Sequence, residues 1–215
     1  MIIVKIDGAV TMNVDLLIQT LNFISPLSAA LDQRFRETLK EEHWPRKHHL
    51  LREGQKSQKI YFINKGFARA YYFTREGREC TSWFMGKGEL MISVYSFYTQ
   101  QSAAENIELL EESELLSMTW NQLQGIYADF PEYNYTGRIV TEKYYQLSEE
   151  RAVLLRTLTA RERYERLLET HPGILQKASL GQIASYLGIS QETLSRVRGI
   201  RGDLTNVKKT INPQI

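Results

Sequence analysis

Gln191, Glu192, Ser195 and Arg196 are spaced so that one side of a helix carries all four, while Leu194 and Val197 fall on the other side. The chemistry of that polar side suits the edges of DNA bases. Arginine can bond a guanine bidentately, glutamate can accept from a cytosine amino group, and serine or glutamine adapts to neighbouring bases. Glu192 precedes Arg196 by four residues, the order in which an acid and a base support each other along a helix. The competing reading is an exposed helix with an ordinary surface ion pair.

Such a face reads a groove only if the preceding segment holds it at a fixed angle. Ser179-Leu180-Gly181-Gln182 is a capping-box pattern and predicts a helix with Ile183, Ala184 and Leu187 on one side. Gly188 suits the left-handed conformation that ends this helix sharply. Ile189 would plug the corner, and Ser190 is a good N-cap for the helix that follows. Two helices joined by a glycine turn predict a helix-turn-helix, whose second helix can enter the major groove.

Upstream, VDLLIQTLNFISPLSAALDQRFRETLKEEHW reads as two helices broken at Ser25-Pro26. From about Arg46 the pattern becomes aromatic and β-branched. Turn signals at Asn64-Lys65-Gly66, Arg75-Glu76-Gly77 and Gly86-Lys87-Gly88 predict short antiparallel strands in a roll or barrel. Two more strands are expected around Glu111–Ser113, although those residues would also suit a helix, and WNQLQGIYADFPEY reads as a short helix ended by Pro131.

From Tyr133 to about Leu158, the residues Val140, Tyr144, Leu147, Arg151, Leu154 and Leu158 recur at alternating spacings of four and three. That is a coiled-coil seam, so this helix is expected to pair with a second copy of the chain. The alternative is a helix packed on its own domain, which Arg151 on the seam favours. Thr159-Ala160-Arg161-Glu162 is a second capping box, and the helix it starts should stop at His171-Pro172-Gly173. A helix, a break and a helix around residue 159 is the pattern of a hinge.

The predicted fold class is therefore α+β. It comprises an N-terminal antiparallel β-roll (jelly-roll-like) with flanking helices over 1–132, a long dimerisation helix over 133–158, and a helix-turn-helix domain over 159–215. Bulk properties agree with this division. Residues 151–215 carry eleven Lys/Arg against five Asp/Glu, whereas the rest of the 215-residue chain carries sixteen against twenty. A basic C-terminal part beside a mildly acidic remainder suits a polyanionic partner.

No apolar run approaches the ~18 residues of a membrane span, and the N-terminus lacks the pattern of a secretory signal, so a cytoplasmic location is expected. The single cysteine, Cys80, excludes an internal disulfide and a four-cysteine metal or iron–sulfur site. His43, His48 and His49 invite a metal reading, but adjacent histidines on a strand face opposite ways, and a surface strand is the better reading. Tyr71-Tyr72-Phe73 reads as strand packing rather than a base-stacking platform. No nucleophile–base pair, phosphate-binding glycine loop or carboxylate pair argues for an enzyme, and no metal or cofactor is expected. A metal-dependent β-barrel enzyme remains the contrasting class.

IASYLGISQETLSRVR resembles the DNA-binding motif of the bacterial Crp–Fnr transcription regulators, and the order of roll, long helix and helix-turn-helix is similar over about residues 15–200. Glu192-x-x-Ser195-Arg196 resembles the E-x-x-S-R pattern of the Fnr-like branch. The resemblance implies a half-site with a TGA-like core read by Glu192, Ser195 and Arg196. Ser190, Gln191, Thr193 and Arg198 would be further DNA-binding positions. It also implies double-stranded DNA, a second copy and RNA polymerase as partners, and no membrane.

In cyclic-AMP-binding relatives a glutamate holds the ribose and an arginine neutralises the cyclic phosphate. Aligned from Gly88-Glu89, this chain has Ser93 and Ala103 at those places, so Glu89, Ser93, Gln101 and Ala103 mark a degenerate effector pocket. No response to cyclic AMP is expected, since a buried phosphate without its cation loses charge-assisted bonding. The alternative is a small-molecule-binding signalling module whose helix-turn-helix serves protein contacts. After the motif only GIRGDLTNVKKTINPQI remains, too short for a full wing. Its Arg201, Lys208 and Lys209 could touch phosphates, as could Arg198.

Overall fold

The computed structural model describes residues 14–199. The expected wing region, with Arg201, Lys208 and Lys209, lies outside the described residues. Two N-terminal helices, α1 (Asp15–Ile24) and α2 (Ala29–Thr38), flank the break at Ser25-Pro26, and Ser28 caps α2 by accepting from Leu31 N. The strands are β1 (Lys40–Trp44), β2 (His49–Leu51), β3 (Lys59–Lys65), β4 (Phe67–Phe73), β5 (Glu79–Gly86), β6 (Leu90–Met91), β7 (Asn106–Leu109) and β8 (Ser113–Thr119). They form two four-stranded sheets, β1-β8-β3-β6 and β2-β7-β4-β5, with antiparallel pairing throughout.

The period-two alternation of the strands assigns each side chain to one of three layers. Tyr61, Ile63, Ala68, Met85, Ile107 and Leu115 fill the space between the sheets. Phe62, Leu116 and Met118, one residue out of phase, pack outward on α1, α2, α4 (Trp120–Asp129) and Tyr133 of α5 (Tyr133–Thr157). On the outside of the second sheet, Phe67 and Phe84 stack on each other with ring centroids 5.7 Å apart. They join Tyr164 and Leu167 of α6 (Ala160–Thr170), Ile174 of α7 (Ile174–Lys177) and Ile183 and Leu187 of α8 (Leu180–Leu187) in one cluster. The first sheet is thus covered on both faces, and the second on its outer side around Phe67 and Phe84.

Two local expectations are corrected. Lys40–Trp44 extends the helical pattern in sequence but forms β1, because the ladder to β8 pairs every one of its residues. The segment after β6 holds a short helix, α3 (Val94–Thr99), that periodicity did not mark. Between β3 and β4, Gly66 has φ +117, and a Cβ there would lie 2.1 Å from Ser113 Oγ, so both the turn and the neighbouring strand require glycine.

Within the second sheet, Arg69 is buried at 3 % exposure opposite Glu108, to which it donates from Nε and Nη2 at 2.9 and 2.7 Å. Its guanidinium also reaches Glu79 at 2.6 Å and lies 4.0 Å from the centre of the Tyr71 ring. This charge is buried with its partners and serves the sheet.

Candidate nucleic-acid interface

Helix α8 begins at Ser179, whose hydroxyl accepts from Gln182 N while the Gln182 side chain accepts from Ser179 N. It ends at Gly188 with φ +65, where the amides of Gly188 and Ile189 return to carbonyls of the last turn. Ser190 then accepts from Thr193 N at 3.1 Å and opens the next helix, α9, at 191–199. Leu194 is 1 % exposed and Val197 is packed on the same cluster, which fixes the inner face of α9.

Gln191, Glu192, Ser195 and Arg196 are all exposed, within an outer arc of about 140° at 3.6 residues per turn. Ser190 is exposed beside them, and Thr193 and Arg198 are half-buried. Glu192 and Arg196 are not in ion-pair contact. Arg196 instead donates to Thr193 Oγ1 at 3.2 Å, and the acid is held from elsewhere. The Ser190 hydroxyl, its own backbone amide and, more weakly, the Arg196 charge keep the Glu192 carboxyl below its usual pKa. Sequence spacing did not show what seats Gln191. A Cβ at Gly181 would come within 2.8 Å of Gln191 Nε2, so the small residue in α8 leaves room for that amide.

The helix pair is fastened to the rest of the chain through α8. Strand β5 is the outermost strand of its sheet, and α8 lies along its free edge. Thr81 N donates to Ser185 Oγ at 2.8 Å, and that hydroxyl donates to Glu79 O at 3.0 Å, so one serine satisfies an edge donor and an edge acceptor. Arg151 of α5 donates to Tyr186 O at 2.8 Å, and Arg163 of α6 to Leu187 O at 2.6 Å, two cations on the terminal carbonyls of α8. Ser185→Ala is expected to cost about 1 kcal/mol, read as a shifted urea midpoint. A midpoint unchanged by the substitution would mean that this seam contributes nothing to folding.

Leu158 and Thr159, both extended, separate α5 from α6, and Thr159 and Glu162 complete the expected capping box. Thr159→Ala should cost about 1 kcal/mol in urea denaturation, and equal stability would remove the box from the account of this junction.

The six-residue stripe, five residues on α5 and Leu158 just after it, lies against its own chain. Tyr144 Oη accepts from Leu90 N at 2.8 Å, and burial pushes its pKa up to about 12. Val140 lies beside the first sheet, whereas Leu147, Arg151, Leu154 and Leu158 face the second sheet and α6–α8, with the Arg151 guanidinium 3.7 Å from the Tyr186 ring centre. All six are half-buried here, which accounts for the four–three spacing without a second copy. The exposed large apolar side chains of α5 are Tyr135, Tyr145, Val153 and Leu155.

Glu89, Ser93, Gln101 and Ala103, the residues expected to mark a degenerate pocket, have positions of their own within the chain. Glu89 Oε2 accepts from Gly86 N at 2.6 Å and closes its own turn. Ser93 and Ala103 are buried, and the exposed Gln101 accepts at its backbone carbonyl from Ser96 Oγ. Glu105, which no local motif marks, bonds Ser93, and desolvation pushes its carboxyl pKa up despite that bond.

His48 stacks on Trp44 and His49 contacts Tyr71 Oη at 3.1 Å, and among the described residues no three potential metal-ligating side chains converge. Among them, too, no helix is long and apolar enough to cross a membrane.

Residues 41–130 match the model of the cyclic nucleotide-binding domain. No curated protein matches the chain in sequence. Among solved structures, the chain is similar to CLP of Xanthomonas campestris, described as a c-di-GMP-responsive global regulator, with 20% identity, 82% of this chain and 93% of that one covered, and a TM-score of 0.65. FixK2 of Bradyrhizobium japonicum is similar at 18% identity over 78% of this chain and 86% of that one, with a TM-score of 0.68. A protein of Eubacterium rectale assigned to the Crp/Fnr regulators gives 19%, 82%, 85% and 0.62 for the same measures. The match over residues 41–130 and the likeness to these solved structures show a cyclic nucleotide-binding-type roll within a fold similar to that of Crp/Fnr transcription regulators.

Proposed function

We propose that this chain is a sequence-specific DNA-binding transcription regulator that binds a near-palindromic operator as a homodimer and does not respond to cyclic AMP. One observation carries the reading: α9 buries Leu194 and turns Gln191, Glu192, Ser195 and Arg196 to solvent on a single arc. A helix held from behind with base-reading groups in front is what a major groove accepts. Glu192, Ser195 and Arg196 specify the sequence, Gln191 adapts to the neighbouring base, and Arg198 with the N-terminal turn of α9 (Ser190, Thr193) positions the phosphates.

In this reading residues 1–132 form the sensor part, 133–158 the helix along which two copies associate, and 159–215 the DNA-binding part. Because the seam stripe is half-buried within the chain, association engages its remaining exposed edge together with the outward apolar groups of α5. The junction at Leu158-Thr159 sets the distance between the two recognition helices. Glu105 on Ser93 supports the lack of a cyclic AMP response, and calorimetry with cyclic AMP should give no binding heat.

Selection of bound DNA from a random library tests the function directly. The expected product is two inverted half-sites about one helical turn, ~34–36 Å, apart. Recovery of no common sequence would overturn the reading, and recovery of one lone half-site would overturn the dimer.

A further inference from the structure

A cavity of about 520 Å³ lies where the second sheet, the C-terminal half of α5 and helices α6–α8 meet. That volume is in the range of small-molecule sites. Trp83 and Phe84 come from the sheet, Leu147 and Leu154 from α5 and Leu158 from the junction after it, so most of the wall is apolar. The charged groups around it are uneven. Lys87, Arg151, Arg163, Arg166 and Lys177 line it, against the carboxylates of Glu89 and Glu150. Arg166 and Lys177 are paired with Glu169 and Glu111 at 3.6 and 3.1 Å, and Glu89 is bonded to its own turn.

Arg151 and Arg163 are different. Each spends one donor on a carbonyl at the end of α8, and neither has a carboxylate in ion-pair distance among the described residues. The Nε of Arg163 is buried with no hydrogen-bond partner, a costly arrangement for a cationic donor. His171, also on the wall, is pushed below its ordinary pKa by burial, which disfavours a further positive charge there.

We infer that this cavity binds a small amphiphilic carboxylate, with the apolar body among Leu147, Leu154, Leu158 and Trp83 and the carboxylate on Arg163 and Arg151. A carboxylate would neutralise these two guanidiniums, which line the cavity without an acidic partner among the described residues, whereas a neutral or cationic head would leave them unneutralised. The site shares Glu89 with the expected effector-pocket residues, but Ser93, Gln101 and Ala103 do not line it. Its walls come from the sheet, the long helix and the helix-turn-helix, so an occupant ties all three together. The binding claim stands without the DNA-binding reading. Its consequence, that occupancy fixes the recognition-helix position, rests on that reading.

The test is isothermal titration calorimetry of the full chain, without DNA, against decanoate, decan-1-ol and decyltrimethylammonium. Decanoate should bind at least roughly tenfold more tightly than either comparator, the difference a charge-assisted bond makes. Arg163→Met should remove that preference, and Leu154→Trp, which fills the apolar space, should remove decanoate binding altogether. Equal affinity for the three heads, no binding of decanoate, or wild-type decanoate affinity in either variant would overturn the site. Because no DNA is present, failure of the operator selection would leave this result untouched, and failure here would leave the operator reading standing.

Discussion

Arg196→Ala will weaken binding to the selected operator by about 1–3 kcal/mol, roughly 5–150-fold, and relax the preference at one base position in each half-site. The expectation follows from where the guanidinium stands. It is exposed on the outer arc of α9, lightly held by Thr193 Oγ1 at 3.2 Å, and has no carboxylate to leave behind. Removing it should leave folding unchanged, because surface positions of this kind shift stability by no more than about 0.5 kcal/mol. The effect should therefore appear in the binding isotherm and in a repeated selection, not in the urea midpoint. An arginine that touched only phosphate would weaken all sequences alike and leave the preference intact, which separates base reading from positioning. An unchanged footprint in the variant would instead favour a helix-turn-helix used for protein contacts.

Phe84→Ala should produce the largest loss of stability, about 3–5 kcal/mol in urea denaturation. Phe84 is 1 % exposed on β5, and its ring centroid is 5.7 Å from that of Phe67, 4.9 Å from Tyr186 and 6.3 Å from His171. Deleting the ring removes buried apolar area and leaves space between β5 and α8 that the sheet, with ladders to fix, is slow to close. The same substitution should loosen the helix-turn-helix from the roll, measurable as faster amide exchange in α8 than in β3 or β8. A loss below about 1 kcal/mol would show that the collapse of neighbouring side chains fills the site, and would remove the roll as the anchor of α8.

Local chemistry in the sequence reached far into this protein. The caps at Thr159, Ser179 and Ser190 and the left-handed Gly188 depend on residues within four positions of one another, so their outcome is written along the chain. The outward placement of Gln191, Glu192, Ser195 and Arg196 follows from the same short-range geometry once Leu194 is buried and Val197 packs beside it. The expected Glu192–Arg196 pair did not form because nearer hydroxyls, Ser190 and Thr193, supplied each group with a partner.

Tertiary structure decided what distance along the chain conceals. Residues 40–44 carry a helical pattern, but the ladder to β8, about seventy residues away, made them a strand. A stripe spaced four and three says that a helix face is buried, not by what. Only the fold showed α5 turning Tyr144 to Leu90 and Arg151 to Tyr186. Ser185 on the β5 edge, Glu105 on Ser93 and the unpaired Nε of Arg163 belong to the same class. Periodicity encodes how a segment curls and which side is apolar, whereas the partner for a lone serine or arginine is set by packing, and no local spacing records it.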